Sequence, residues 1–336
     1  MKAMVLKEIA PIEKKPLAML DLPIPEPASR QILVKVSTCG VCHTELDEIE
    51  RRLPPSKFPI VLGHQIVGRV ERLGSEVTRF KKGDRVGITW LNWACGECSF
   101  CLEGRENLCE RARFTGKDVD GGYAQYTVVS EDFAYPIPER FSDSEAAPLL
   151  CADVIGYRAL RLTGLKDGQV LGLYGFGASA HIVIQVARYR YPNSKIYVFT
   201  RSQDHRDLAK QLGAHWTGRA EEDPPERLNC AIDFTPVGQT VREALRVLDK
   251  GGRLVINAIR KVNTVPELDY EYIWHEKEIK SVANVTRKDA EGFLPLAADI
   301  PIIPKTQLFK LEEANEALIL LKQGKIQGAS VLKISE

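Results

Sequence analysis

The sequence predicts an α/β chain of two domains, one rich in strands and turns and one a doubly wound parallel sheet. Three observations carry this. The chain has 336 residues, more than one core commonly serves. Its first 150 or so residues read as short apolar runs broken by proline and glycine. Beyond them, short apolar strands alternate with helical patterns, the sequence form of a parallel sheet with crossover helices.

In the first region, Gln31–Ser37 and Ile60–Arg72 are the clearest strand runs, and Gly83–Val86 reads as a turn entering another. The prolines between Pro11 and Pro27 argue against helix there. In the second region the expected order is strand Val170–Tyr174, helix Ala180–Tyr189, strand Lys195–Thr200 and helix Asp204–Leu212. Strand Cys230–Phe234, helix Thr240–Leu248 and strand Arg253–Ala258 follow. A helix at Leu311–Lys322, apolar at helical spacing, and a strand at Ala329–Ile334 close the chain.

Apolar residues make up 44% and charged residues 27%, with 46 basic against 45 acidic side chains. This balance offers no basic excess for phosphate backbones, so nucleic acid is not an expected partner. No apolar run approaches bilayer length, and the N-terminus lacks a signal-peptide core. No membrane association is expected, and the expected location is cytoplasmic.

Four of the eight cysteines crowd together as C-x2-C-x2-C-x7-C: Cys95, Cys98, Cys101 and Cys109. Loops this short let neighbouring thiolates converge on one ion. Four thiolates close a tetrahedral zinc shell and leave no room for substrate, so the site would be structural. Disulfides and an iron–sulfur cluster are the rival readings. A ferredoxin-type run would have three residues before its last cysteine and a proline after it; here seven residues intervene and Glu110 follows.

A glycine turn lies between the first strand and helix of the second region. Gly175, Phe176, Gly177, Ala178, Ser179 and Ala180 form the G-x-G-x-x-A version of the dinucleotide fingerprint. Its glycines permit a tight turn and close approach of a pyrophosphate to a helix N-terminus. An NAD site would place an acidic residue at the end of the next strand. Thr200 and Arg201 stand there instead, able to take a 2′-phosphate by hydrogen bond and charge. NADP(H) is therefore favoured over NAD(H), the alternative being a solvated Arg201 with both cofactors accepted. Asn257, in the strand Arg253–Ala258, is a further candidate cofactor contact.

Cys42, His64 and Cys151 lie too far apart for spacing to join them. Singly, each reads as a buried thiol or a hydrogen-bonded imidazole. Taken with the motifs around them, however, the chain resembles the zinc-dependent medium-chain alcohol dehydrogenases over essentially its full length. The residues that carry the resemblance are Gly40–Thr44, Gly63–His64, the four-cysteine loop, Cys151 and the turn at Gly175, in matching order and spacing.

The resemblance implies a GroES-like, partly open β-barrel catalytic domain from residues 1–151 with 291–336, and a Rossmann domain from 152–290. It implies two zinc ions per chain. Cys42, His64 and Cys151 would hold the catalytic one, leaving its fourth position open to the oxygen of an alcohol or aldehyde. Thr44 would pass the alcohol proton, and His43 would lie near the cofactor phosphates or ribose. Trp90 would be a wall of the substrate pocket, or else ordinary core packing. Relatives of this length imply a homo-oligomer, with a tetramer favoured over a dimer.

Several positions depart from the family pattern. Gln65 replaces the usual glutamate after the motif histidine, Glu45 replaces an aspartate, and Asp47 replaces a relay histidine. Asp153 replaces a glycine, and Ala329 stands where many relatives carry an arginine near the cofactor phosphates. Asp153 either restores the charge lost at Gln65 or caps the helix that follows. The expected function is hydride transfer between a nicotinamide cofactor and a primary or secondary alcohol and its aldehyde or ketone. The alternatives are an enzyme working mainly as an NADPH-dependent aldehyde reductase, a zinc-free quinone reductase of the same fold, and a nucleotide-binding sensor or structural protein that has lost catalysis.

Overall fold

The computed structural model describes every residue except Pro301, Ile303 and Glu336. The chain divides into two compact units, one of residues 1–151, 284–298 and 303–336, the other of 152–283 and 299–302.

In the first unit a mixed sheet runs in the order Ala134–Pro136, Arg85–Ile88, Gln65–Leu73, Gln31–Val41, Ala329–Lys333, Thr306–Lys310. Tyr126–Ser130 pairs with the first half of Gln31–Val41, and Ala329–Lys333 with its second half. The long strand therefore changes neighbours along its length, as a partly open barrel requires. Alternating residues Ile32, Val34 and Val36 fill the interior with Ile66, Val70, Val86 and Ile88. The expected run Ile60–Arg72 is broken. Ile60–Val61 joins Lys2–Leu6, and Gln65–Leu73 joins the large sheet. Gly63 makes the break with φ +94°, and a Cβ there would meet the Tyr123 ring at 2.4 Å.

The second unit holds a parallel sheet ordered Trp216–Gly218, Lys195–Phe199, Val170–Tyr174, Leu228–Asp233, Leu248–Ile256, Glu278–Ser281. In sequence order this is 3-2-1-4-5-6, the doubly wound Rossmann arrangement. Val170–Tyr174 is buried on both faces, as an inner parallel strand should be. On one face Tyr174 stacks on Phe199 at 4.2 Å, and Trp216 meets Phe199 edge-on at 5.1 Å.

Two segments differ from expectation. Residues 284–290 group with the first unit rather than the second, and 299–302 with the second rather than the first. Asp289 caps its own turn through Thr286 at 2.7 Å, and buried Glu106 accepts from the Arg287 amide at 2.8 Å. Those bonds anchor the start of the helix Arg287–Asp299 beside the four-cysteine loop.

Candidate metal and cofactor sites

The four-cysteine loop hangs from the paired strands Leu91–Trp93 and Arg113–Phe114. Gly96 and Gly104 turn it with φ +77° and +68°. All four sulfurs lie within 4.8 Å of one another, and Cys95 Sγ is 3.8 Å from Cys101 Sγ. Donors about 2.0–2.3 Å from a tetrahedral ion stand roughly 3.3–3.8 Å apart, so the loop fits one zinc. A disulfide needs about 2.05 Å between sulfurs, and all eight cysteines are free thiols. Backbone amides at Glu97 and Cys98, helped by Arg111, draw the Cys95 thiol down to about 6, while burial and its neighbours push Cys101 up to about 12.

The second cluster gathers Cys42, His64 and Cys151, again with ligand atoms within 4.8 Å of one another. His64 Nε2 lies 3.7 Å from Cys42 Sγ and 3.3 Å from Cys151 Sγ, which also suits one tetrahedral ion. Three different local devices deliver these ligands. Cys42 is the N-cap of the helix His43–Ile49, where its sulfur accepts from the Thr44 amide at 3.3 Å. His64 follows the Gly63 kink between two strands. Cys151 sits in a π-helical turn, Leu149–Asp153, between the helices Asp143–Pro148 and Val154–Thr163. Such turns are rare and often lie at functional positions.

Behind His64 stands Glu45, with a fully buried side chain. Its Oε1 is 2.6 Å from His64 Nδ1, and its Oε2 accepts from the Cys42 amide at 2.8 Å. One carboxylate thus orients two ligands. Burial alone would lower the imidazole's affinity for a proton, but Glu45 and Cys42 outweigh it and hold His64 well above its ordinary value. Cys42 is also pushed up, first by its hydrogen bond with Cys151 and then by burial. The signal for Glu45 was its position three residues after an N-cap, where a side chain reaches back to the cap amide.

The departures resolve unevenly. Gln65 is buried and packs on Gly40, where a Cβ would come within 2.6 Å of its Oε1. Asp153 does not cap the helix Val154–Thr163: it has αR geometry and no side-chain cap bond. Its carboxyl is buried, Oδ2 has no partner among the described residues, and burial pushes its pKa up, which favours the neutral acid. Asp47 is held by Arg52 at 2.5 Å. Thr44 is buried and His43 exposed on the same first turn. The Trp90 ring stacks on Phe114 at 4.4 Å, its centroid 6.2 Å from that of His64.

In the second unit, Gly175 leaves the strand Val170–Tyr174 with φ +82°, and Gly177 is the N-cap of the helix Ala178–Arg190. A Cβ on Gly177 would meet nothing within 4 Å, so its outer side is open. Phe176 is buried, while Ala178 and Ser179 sit in the first turn. Thr200 and exposed Arg201 follow the strand Lys195–Phe199 without an acidic neighbour on the strand end. Arg206, which the sequence reading missed, donates to Thr200 O at 2.7 Å and Arg201 O at 3.1 Å. Asn257 follows the strand Leu248–Ile256 and donates its amide to Asp233 O at 2.8 Å.

Residues 28–139 match the family model "Alcohol dehydrogenase GroES-like domain", and residues 180–299 match "Zinc-binding dehydrogenase". A "Probable alcohol dehydrogenase AdhA" of Mycobacterium tuberculosis is 44% identical, over 99% of this chain and 97% of its own. The chain belongs to the zinc-dependent medium-chain alcohol dehydrogenases. An "Alcohol dehydrogenase" of Geobacillus stearothermophilus, 34% identical over 99% of this chain and 100% of its own, is a more distant member of the same kind. A solved NAD-dependent alcohol dehydrogenase superposes with TM-score 0.89 at 25% identity, covering 100% of both chains. The family is one of oxidoreductases, and its fold accounts for both units described above. Among the described residues no helix is long and apolar enough to cross a membrane.

Proposed function

We propose that this family member is a zinc-dependent alcohol dehydrogenase. It would move a hydride between a primary or secondary alcohol and a nicotinamide cofactor, or back to an aldehyde or ketone. The observation that carries the reading is the convergence of Cys42, His64 and Cys151 beside Thr44, because three protein ligands leave a fourth position for a substrate oxygen. Zinc bound there would supply a Lewis acid for that oxygen. A second, structural zinc belongs to Cys95, Cys98, Cys101 and Cys109.

The remaining work falls to this chain's own side chains. Glu45 holds His64 by Nδ1, so that Nε2 is presented as the ligand. The Thr44 hydroxyl accepts the alcohol proton and hands it on. Asp47 is already engaged by Arg52, so the proton leaves through another acceptor. His43, with Gly175–Ala180 and Asn257, binds the cofactor, and Trp90 bounds the substrate pocket. NADP(H) is favoured over NAD(H), supported by the missing acidic residue and by Arg201 and Arg206 at the strand end.

A preference for NADPH supports a second reading, an enzyme working mainly as an aldehyde reductase, since cells commonly keep that pool reduced. The chain is proposed to be cytoplasmic, in keeping with eight free thiols. It is also proposed to form a homo-oligomer, a tetramer before a dimer. Ile279 on the edge strand Glu278–Ser281 is 44% exposed, and Tyr270 and Trp274, just before that strand, are 67% and 51% exposed, apolar surface suited to a second copy.

The test is the initial rate of NADPH and NADH oxidation by zinc-loaded enzyme with a simple aromatic aldehyde. NADPH ahead by about tenfold, roughly 1.4 kcal/mol in the transition state, is the expected result. A lead for NADH would overturn the Thr200–Arg201 assignment. Turnover that survives chelation would point to the quinone reductase reading, and no turnover across an aldehyde panel to a sensor.

A further inference from the structure

Asp233 ends the strand Leu228–Asp233, and its side chain is completely buried. A buried carboxylate must find partners or be lost. Its Oδ1 accepts from the Thr235 amide at 2.9 Å, and its Oδ2 from Thr240 Oγ1 at 2.8 Å. The remaining partner comes from a distant segment. Lys261 Nζ donates to Asp233 Oδ2 at 2.6 Å and to Thr235 O at 2.7 Å, with the lysine side chain 15% exposed. No sequence motif marked either residue.

The backbone around the pair is stitched in the same way. Asn257 N donates to Asp233 O at 2.8 Å, Val262 N to Pro236 O at 2.7 Å, and Gly238 N to Asn263 Oδ1 at 2.9 Å. Gly238 allows this approach, since a Cβ there would lie 2.0 Å from Thr264 O. On its other side the 233–240 loop abuts the glycine turn. Phe234 N donates to Tyr174 O at 2.9 Å, and a Cβ on Gly175 would sit 2.9 Å from Thr235 Cγ2. Residues 257–264 therefore rest, through this loop, on the turn that would receive a pyrophosphate. Their apolar side chains do little to hold them, with Ile259 57% and Val262 68% exposed. Polar pins take the place of a packed core.

We infer that Lys261 is a positioning residue for the cofactor, its ammonium group on Asp233 holding the segment that carries Asn257 across the carboxyl end of the parallel sheet. Ligands of such sheets bind outside the carboxyl ends of the strands, where Gly175, Asp233 and Asn257 all lie. A buried ion pair adds little net stability over apolar side chains, but it selects one arrangement of the groups it joins. This rests on the nucleotide-binding reading above.

The test uses zinc-loaded full-length enzyme, comparing wild type with Lys261→Met and Lys261→Arg. A double variant, Lys261→Met with Asp233→Asn, leaves no unpaired charge should the single variant fold poorly. The KM for NADPH should rise about tenfold in Lys261→Met and in the double variant, about 1.4 kcal/mol of lost cofactor binding, with kcat and aldehyde KM nearly unchanged. Lys261→Arg should recover most of the loss. Amide exchange should quicken over residues 257–264 and not elsewhere in the sheet. An unchanged cofactor KM in a folded variant of active enzyme would overturn this inference alone. So would a fall of kcat, both KM values and Tm together that arginine does not rescue. Wild type that neither binds nor oxidises NADPH or NADH would overturn the nucleotide reading, and this one with it.

Discussion

The four-cysteine loop and the Cys42–His64–Cys151 centre use similar donors in opposite ways. In the loop, fifteen residues from Cys95 to Cys109 supply every ligand, and two glycine turns fold them onto one point. In the other centre the ligands come from a helix cap, a kink between strands and a π-helical turn, drawn from positions 42, 64 and 151. A local site can form once its own loop folds. A dispersed site exists only after the barrel has closed, and it can leave a coordination position open. The difference teaches that ligand count and provenance together separate a structural ion from a catalytic one.

The comparison can be broken most sharply at Cys151. Replacing it by alanine should lower kcat/KM by about a thousandfold or more, since several kcal/mol of Lewis-acid stabilisation are lost at tenfold per 1.36 kcal/mol. Steady-state kinetics reads this directly, and near-normal turnover would refute the assignment. Thr44→Val keeps the volume and deletes the hydroxyl. A loss of about a hundredfold in kcat, with zinc content intact, is expected for a proton carrier. Glu45→Gln should cost about tenfold in zinc affinity or activity, because the group that orients His64 loses its charge. Competition with a metallochromic chelator would show it, and the loop zinc should be unaffected.

The gentlest contrast is in pH. In metal-free protein Cys42 and His64 hold their protons to raised pH, and zinc must displace them. Affinity at that centre should therefore climb with pH through neutrality. In the loop, Cys95 at about 6 has already lost its proton there while Cys101 at about 12 keeps one, so affinity at the loop should climb with pH as well. Zinc titrations of apoprotein at several pH values would measure both slopes, and an affinity that does not rise with pH at either centre would count against the ligand electrostatics described.

The same contrast explains what was legible in the sequence. The loop could be read from spacing alone, and the strand–turn–helix at Gly175 from its glycines and flanking periodicity. The parallel sheet with crossover helices followed from alternation, with Val170–Tyr174 placed to the residue, while its strand order came only with the structure. The dispersed centre needed resemblance, because nothing local says that Gly63 bends His64 towards Cys42 or that Leu149–Asp153 winds as a π turn. Glu45 was visible as a departure near the zinc ligands and not as the partner of His64, since an imidazole nineteen residues away in sequence leaves no periodic trace. Asp153 read more readily as a cap, and its αR backbone without a side-chain cap bond shows that it is not one. Lys261 and Asp233 left no trace at all, because their meeting depends on the path of a loop across the sheet.

Zinc content and kcat/KM, measured on the same samples of wild type, Cys151→Ala and Cys109→Ala, test the division of labour most directly. Wild type should carry two zinc ions per chain. Cys151→Ala should keep the loop zinc and its Tm while losing activity. Cys109→Ala should lose the loop zinc and about 10 °C in Tm, at roughly 2–4 °C per kcal/mol, yet turn over within about threefold of wild type at 25 °C. Full activity in Cys151→Ala, or inactivity confined to Cys109→Ala, would contradict it.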